Sequence, residues 1–207
     1  LIGFPDCEAF GSGLISQPTA AFTSLAFVVA GIWLIGDRRL AYSTAPIVFG
    51  ATIAAVGIGS FLDHAAITEW ARHLDSLAIK LMLVAFIAYP AARMWSWEPP
   101  AYLASWAGSS ALVVLIELIW PPSANAMLGV LAVVAIGGAV STSSPLDRRW
   151  LLAGLSLLGA GWVAWWLGRQ GGPMCAPWAV FQLHGVWHIL AAVGVASLYQ
   201  VYRSETT

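Results

Sequence analysis

Long apolar stretches alternate with short polar connections from one end of the chain to the other. Each stretch reaches the length of about 20 residues that an α-helix needs to cross the hydrocarbon core of a bilayer. The pattern therefore predicts an all-α, seven-helix membrane bundle forming a single domain over residues 1–207, with an extramembrane N-terminal segment at 1–17. The expected spans lie at about 18–36, 46–64, 70–94, 101–120, 123–141, 150–168 and 177–202.

The composition agrees with a multi-pass membrane protein. Hydrophobic residues make up 59% of the chain and charged residues 9%, whereas charged residues make up roughly 25% of a typical soluble domain. Membrane lipids are therefore the expected surroundings of the helices. The formal net charge of −1 provides no basic face, so we expect no nucleic-acid partner.

The distribution of arginines predicts the orientation in the membrane. If the N-terminus is outside, six arginines fall in cytoplasmic connections and two fall outside. By the positive-inside rule, this asymmetry favours an outside N-terminus and a cytoplasmic C-terminus. The six are Arg38, Arg39, Arg93, Arg148, Arg149 and Arg203; the two are Arg72 and Arg169.

Polar side chains that can bind a metal concentrate in two apolar segments. His184 and His188 are four residues apart, so on a helix they project from one face about one turn apart. Ser60 and His64 have the same spacing, and Asp75 follows near the start of the next predicted span. In the predicted topology all five residues lie in the non-cytoplasmic half of the membrane. Three imidazoles that meet there would form a zinc site.

Such a site would be catalytic rather than structural, because three ligands leave the fourth tetrahedral position of zinc open. A zinc-bound water becomes a usable nucleophile near neutral pH. Asp75 is the candidate general base and acid, and Ser60 could donate a hydrogen bond to the oxygen of an attacked carbonyl. The alternative is that these residues only form hydrogen bonds between helices. We favour the metal site, because ionisable groups inside a membrane are costly and rarely idle.

The remaining polar residues have simpler interpretations. Asp63 and Glu69 are expected to be solvated loop residues at the rim of the site. Lys80 and Glu117 reach similar depths in neighbouring spans and are expected to form an ion pair, since an unpaired buried charge is expensive. Gln182 could hold one of the histidines in place through a hydrogen bond.

The chain has two cysteines, Cys7 and Cys175, and both fall outside in this topology. An oxidising compartment would allow them to pair, but sequence alone does not decide whether their Cα atoms approach closely enough.

The polar residues together form the pattern Ser60-x3-His64, then Asp75 eleven positions later, then His184-x2-Trp187-His188. This pattern resembles the alkaline ceramidases, within the wider group of seven-helix membrane hydrolases that includes the adiponectin and progestin receptors. The sequence Cys7-Glu8 ahead of the first span is also similar to the N-terminal segment of that family. The resemblance extends over the whole seven-span layout, although the fourth to sixth spans contribute no motif.

The resemblance implies zinc on His64, His184 and His188, with Ser60 and Asp75 supporting a zinc-bound water. The implied reaction is hydrolysis of the amide bond of ceramide, or of a related lipid amide, to a sphingoid base and a fatty acid. A disulfide between Cys7 and Cys175 is implied as well. The active site would face the non-cytoplasmic side.

One departure from the family concerns calcium. Eukaryotic alkaline ceramidases have an acidic, calcium-binding N-terminal segment, of which only Asp6 and Glu8 remain here. Two carboxylates are too few for the 6 to 8 oxygen ligands that calcium takes, which argues against calcium regulation.

Two other functions remain open at this point. The same fold could act on another lipid amide or ester, or the chain could be a seven-helix lipid receptor or binding protein with a structural zinc site. The sequence does not decide the acyl-chain length of the lipid or the oligomeric state.

Overall fold

The computed structural model describes residues 6–37, 40–143 and 148–204. Seven α-helices occupy most of these ranges, and the β-type backbone pairing in them is limited to an isolated bridge between Asp6 and Arg169. The helices are α1 (Pro18–Ile35), α2 (Ala45–Ala66), α3 (Glu69–Met94), α4 (Pro99–Ile119), α5 (Ala124–Thr142), α6 (Arg148–Gly168) and α7 (Leu183–Ser204). A single 3-10 turn, Pro121–Ser123, connects α4 to α5.

All seven helices are long and apolar enough to cross a membrane. The all-α, seven-helix fold predicted from the apolar pattern is therefore confirmed in the described part of the chain. The orientation of the two termini stays a prediction. Two of the arginines on which it depends, Arg38 and Arg39, lie outside the described residues, as do residues 1–5 of the N-terminal segment.

The seventh helix begins at Leu183 and not near Pro177 as the apolar pattern predicted. The connection before it is held by hydrogen bonds to backbone carbonyls, because Gln182 Nε2 donates to the oxygens of Ala176 at 3.1 Å and Ala179 at 2.6 Å. The Ala9 N–H also donates to the Pro177 carbonyl at 2.9 Å. The apolar side chains that extended the predicted span, among them Trp178, Val180 and Phe181, are exposed in this connection.

Small residues bring the first helices of the bundle close together. A Cβ atom on Gly31 of α1 would lie 2.4 Å from the carbonyl oxygen of Gly50 on α2, a distance that no real side chain allows. Glycine at these positions lets the two backbones approach directly, a common way for membrane helices to pack. The close pairing of α1 with α2 also places the beginning of α1 beside the end of α2.

An aromatic cluster packs one end of the bundle. Phe49 near the start of α2 lies 4.8 Å from Phe86 of α3 and 5.4 Å from Tyr199 of α7, measured between ring centroids. His64 lies 15 residues further along α2, or about 22 Å at 1.5 Å per residue. The aromatic cluster therefore stabilises the end of the bundle opposite to the histidines.

The expected ion pair between Lys80 and Glu117 is present. Lys80 of α3 is fully buried, and its Nζ contacts Glu117 Oε1 of α4 and donates to Ser76 Oγ at 2.8 Å. The pair links α3 to α4, and neither charge is left alone in an apolar environment.

Removing one partner of this pair should destabilise the bundle. We expect Glu117→Leu to lower the free energy of unfolding by about 3 kcal/mol, because it leaves the Lys80 ammonium buried and unpaired. The double variant Lys80→Met with Glu117→Leu should recover most of that loss. Unfolding in mixed detergent micelles measures both, and a double variant as unstable as the single one would contradict this account.

Candidate active site

The candidate residues come from three helix ends that meet at one end of the bundle. Ser60 and His64 lie in the last two turns of α2, and Asp75 lies in the second turn of α3. His184 and His188 lie in the first two turns of α7. Because α3 returns antiparallel to α2 after two residues, and α7 packs against α1, these turns reach the same level of the bundle.

The structure brings the three histidines together. Each of His64, His184 and His188 offers a ring nitrogen, and these nitrogens all lie within 4.8 Å of one another. His64 and His188 are buried, and His184 is partly buried. The Nε2 atoms of His184 and His188 are 3.0 Å apart. Two nitrogen lone pairs at that distance repel each other, so a proton or a cation between them would stabilise the arrangement.

Two of the histidines have their other ring nitrogen held by an oxygen acceptor. His188 Nδ1 lies 3.0 Å from the Ala20 carbonyl oxygen, and His64 Nδ1 lies 2.8 Å from Gln17 Oε1. The Gln17 amide is oriented by its Nε2, which donates to the Glu8 carbonyl at 3.0 Å. Because a carbonyl oxygen only accepts, Nδ1 carries the proton in both rings and Nε2 keeps its lone pair for a metal.

The third histidine is held by a carboxylate. Asp6 Oδ1 lies 2.5 Å from His184 Nδ1, off the line of an ideal hydrogen bond, and Oδ2 lies 3.8 Å from His64 Nδ1. Burial alone raises the pKa of Asp6, but the close contact with His184 outweighs it and holds the pKa below its ordinary value. Asp6 therefore acts as an anion beside the histidine cluster.

Ser60 lies next to the converging nitrogens. Its Oγ is 3.3 Å from His188 Nε2, and the side chain is buried. The hydroxyl group is therefore close enough to touch a molecule that binds between the histidines.

A close contact between α2 and α3 places the backbone of Asp75 beside Gly59. A Cβ atom on Gly59, the residue before Ser60, would lie 2.9 Å from the Asp75 Cα, so only glycine allows this approach. Asp75 Oδ1 is buried and has no hydrogen-bond partner among the residues that the structure describes. A buried carboxylate oxygen without a donor is costly. A water or a substrate group at this position would supply the missing donor.

Two sequence-based interpretations of neighbouring polar residues were wrong. Asp63 is not a solvated loop residue, because α2 continues to Ala66 and buries its side chain. Among the hydrogen bonds of the described residues, Gln182 holds no histidine, and its Nε2 donates to backbone carbonyls ahead of α7. Glu69 is exposed, as expected, but it is the first residue of α3 and not part of a loop.

The N-terminal segment supplies contacts that the sequence analysis missed, from Asp6, Glu8 and Gln17. The two Glu8 carboxylate oxygens accept from the backbone N–H groups of Thr19 at 2.8 Å and Ala20 at 2.9 Å, which caps the N-terminus of α1. Their position in the sequence could have indicated these contacts. Asp6 and Glu8 flank Cys7, and the resemblance implied that Cys7 pairs with Cys175 ahead of α7.

The disulfide that the resemblance implied is present in the structure. Cys7 is joined to Cys175, with the two Cα atoms 5.4 Å apart. This bond ties the N-terminal segment to the connection between α6 and α7. It therefore fixes the segment that carries Asp6 next to the histidines of α7.

A comparison with protein families gives a match over most of the chain. The family model described as Ceramidase matches residues 12–205, a range that includes Ser60, Asp75 and the three histidines. A comparison with curated proteins gave no match.

Proposed function

Because the chain belongs to the ceramidase family, we propose that it is a membrane hydrolase that cleaves the amide bond of ceramide or a closely related lipid amide. Water adds across the amide, and the products are a sphingoid base and a fatty acid. The observation that carries this proposal is the convergence of three histidine nitrogens within 4.8 Å of one another, among seven helices apolar enough to span a membrane.

The donor set fits a zinc ion. Three neutral imidazoles are a common catalytic ligand set for zinc, and His64, His184 and His188 would be the ligands here. The fixed Nδ1 contacts of His64 and His188 support this assignment, because they leave Nε2 free. When bound, zinc lowers the pKa of a water molecule and polarises a carbonyl group.

Asp75 would move the protons of the reaction. Its unpartnered Oδ1 is suited to accept a proton from the attacking water. The same carboxyl group would then give that proton to the amide nitrogen as the C–N bond breaks. The amine would leave as a neutral group.

Ser60 would orient the substrate. Its hydroxyl group can donate a hydrogen bond to the amide carbonyl oxygen, where negative charge develops during attack. The distance of 3.3 Å between Ser60 Oγ and His188 Nε2 supports a position next to the reacting carbonyl.

The surroundings of the site suit a lipid. The helices present apolar side chains outward along their length, so acyl chains could remain in a hydrocarbon environment while the amide reaches the polar residues. We further propose that residues 1–207 form one ceramidase domain and that the site faces the non-cytoplasmic side.

Metal removal tests the proposal directly. Purified protein should release fatty acid from ceramide, lose this activity after treatment with a strong chelator, and regain it with one equivalent of zinc. A lipid ester with the same chains and a ceramide with a shorter acyl chain should be assayed alongside. Activity that resists complete metal removal would contradict the mechanism. Zinc binding without turnover of any of these lipids would favour a receptor or binding protein.

A further inference from the structure

Asp6 is fixed at the histidine cluster by three separate constraints. Its backbone forms a bridge with Arg169 at the end of α6. The next residue, Cys7, is bonded to Cys175. The Asp6 side chain is buried, with 6% of its surface exposed, in contact with His184. An ionised carboxylate is costly to bury, so a position held this firmly needs a positive or proton-donating partner.

That partner is the edge of His184 that does not face the other histidines. Asp6 Oδ1 lies 2.5 Å from His184 Nδ1, whereas His184 Nε2 lies 3.0 Å from His188 Nε2. The carboxylate and the candidate metal-binding nitrogen are therefore on different edges of one imidazole ring. A carboxylate in this position supports a ligand histidine from the side away from the metal. A carboxylate that binds the metal itself would lie on the other side of the ring.

The three histidines are not supported equally. His64 and His188 have neutral oxygen acceptors at Nδ1, from Gln17 and Ala20. Asp6 Oδ2 also lies 3.8 Å from His64 Nδ1, which is beyond hydrogen-bond distance. At His184, the group next to Nδ1 is the Asp6 carboxylate. A carboxylate fixes the tautomer of the ring and also makes the opposite nitrogen a stronger donor to a metal. His184 is also the most exposed of the three histidines. Because fewer neighbours pack against its ring, its orientation depends most on the contact at Nδ1.

We propose that Asp6 is a positioning residue that orients His184 and strengthens its binding to the metal, and that the Cys7–Cys175 disulfide holds Asp6 in this place. This inference rests on the metal site of the proposed function. It assigns to the N-terminal segment a part in building the site, in addition to capping α1.

The test compares metal affinity among variants of the full chain. Asp6→Asn and Asp6→Ala should bind zinc about 10- to 100-fold more weakly than the wild type in competition with a chelator, yet reach about one zinc per chain at saturation. The visible absorption bands of the cobalt-substituted protein should shift in both variants, because the donor strength of His184 changes. Asp6→Glu should recover part of the affinity. Glu69→Gln removes an exposed carboxylate at the start of α3 and serves as the matched control.

The outcomes separate this inference from its rivals. Wild-type affinity and an unchanged cobalt spectrum in both Asp6 variants would overturn it, as would a lower thermal stability of the metal-free protein with unchanged affinity. Failure to reach one zinc at saturation would identify Asp6 as a ligand, which also overturns it. A wild-type protein that binds no metal would instead remove the proposed function and this inference together.

The disulfide is tested in the same assay. The double variant Cys7→Ser with Cys175→Ser should lose zinc affinity in the same direction as Asp6→Asn, and reduction of the wild-type protein should do the same. Combining the double variant with Asp6→Asn should cause little further loss, because both changes remove the same contact. Unchanged affinity after loss of the disulfide would overturn its assigned part.

Discussion

Asp75→Asn should lower ceramide hydrolysis by about 10²- to 10⁴-fold while the protein keeps about one zinc per chain. The amide has nearly the same shape as the carboxylate, so the close packing of α3 against Gly59 is preserved. The amide group, however, cannot accept the proton of the attacking water. Fatty-acid release and elemental analysis on the same purified samples measure the two quantities.

Asp63→Asn is the matched control for this variant. Asp63 is also a buried carboxylate, its Oδ1 has no hydrogen-bond partner in the described part of the chain, and it precedes His64. If the base is Asp75, Asp63→Asn should retain most of the turnover. Equal loss in both variants would show that the assignment of the base to Asp75 is wrong. Full activity in Asp75→Asn would contradict the proposed proton transfer.

The parts of the site that helical periodicity controls were predictable from the sequence. Spacings of four residues placed Ser60 with His64, and His184 with His188, on common helix faces. The return of the chain after α2 was also readable, since few residues separate the second and third apolar stretches. Ile67 makes this turn with a positive φ of 51°, and the turn places Asp75 beside Gly59.

The parts that depend on irregular backbone were not predictable. Asp6 and Gln17 lie in a segment without periodicity, where no spacing rule indicates which way a side chain points. The sequence pattern placed the start of α7 too early, because the connection before this helix contains exposed apolar residues such as Phe181 and is as apolar as a spanning helix. A hydropathy pattern measures how apolar a stretch is, and backbone hydrogen bonds decide where its helix begins.

The second large effect concerns the metal ligands. His188→Ala should reduce the zinc content from about one per chain to near zero and reduce turnover to the background rate, because two imidazoles alone form an incomplete zinc site. His188 is the most demanding ligand to replace. It is buried, its Nδ1 is held by the Ala20 carbonyl, and its Nε2 lies near both Ser60 and His184.

His73→Ala is the control that separates loss of a ligand from loss of any histidine. His73 is exposed on α3 two residues before Asp75, and it is not part of the histidine cluster. This variant should keep its zinc and its activity. If His188→Ala retained one zinc but lost turnover, the histidine would act in catalysis and not as a ligand. If it retained both, the convergence of the three rings would serve helix packing, and the hydrolase would need a different site.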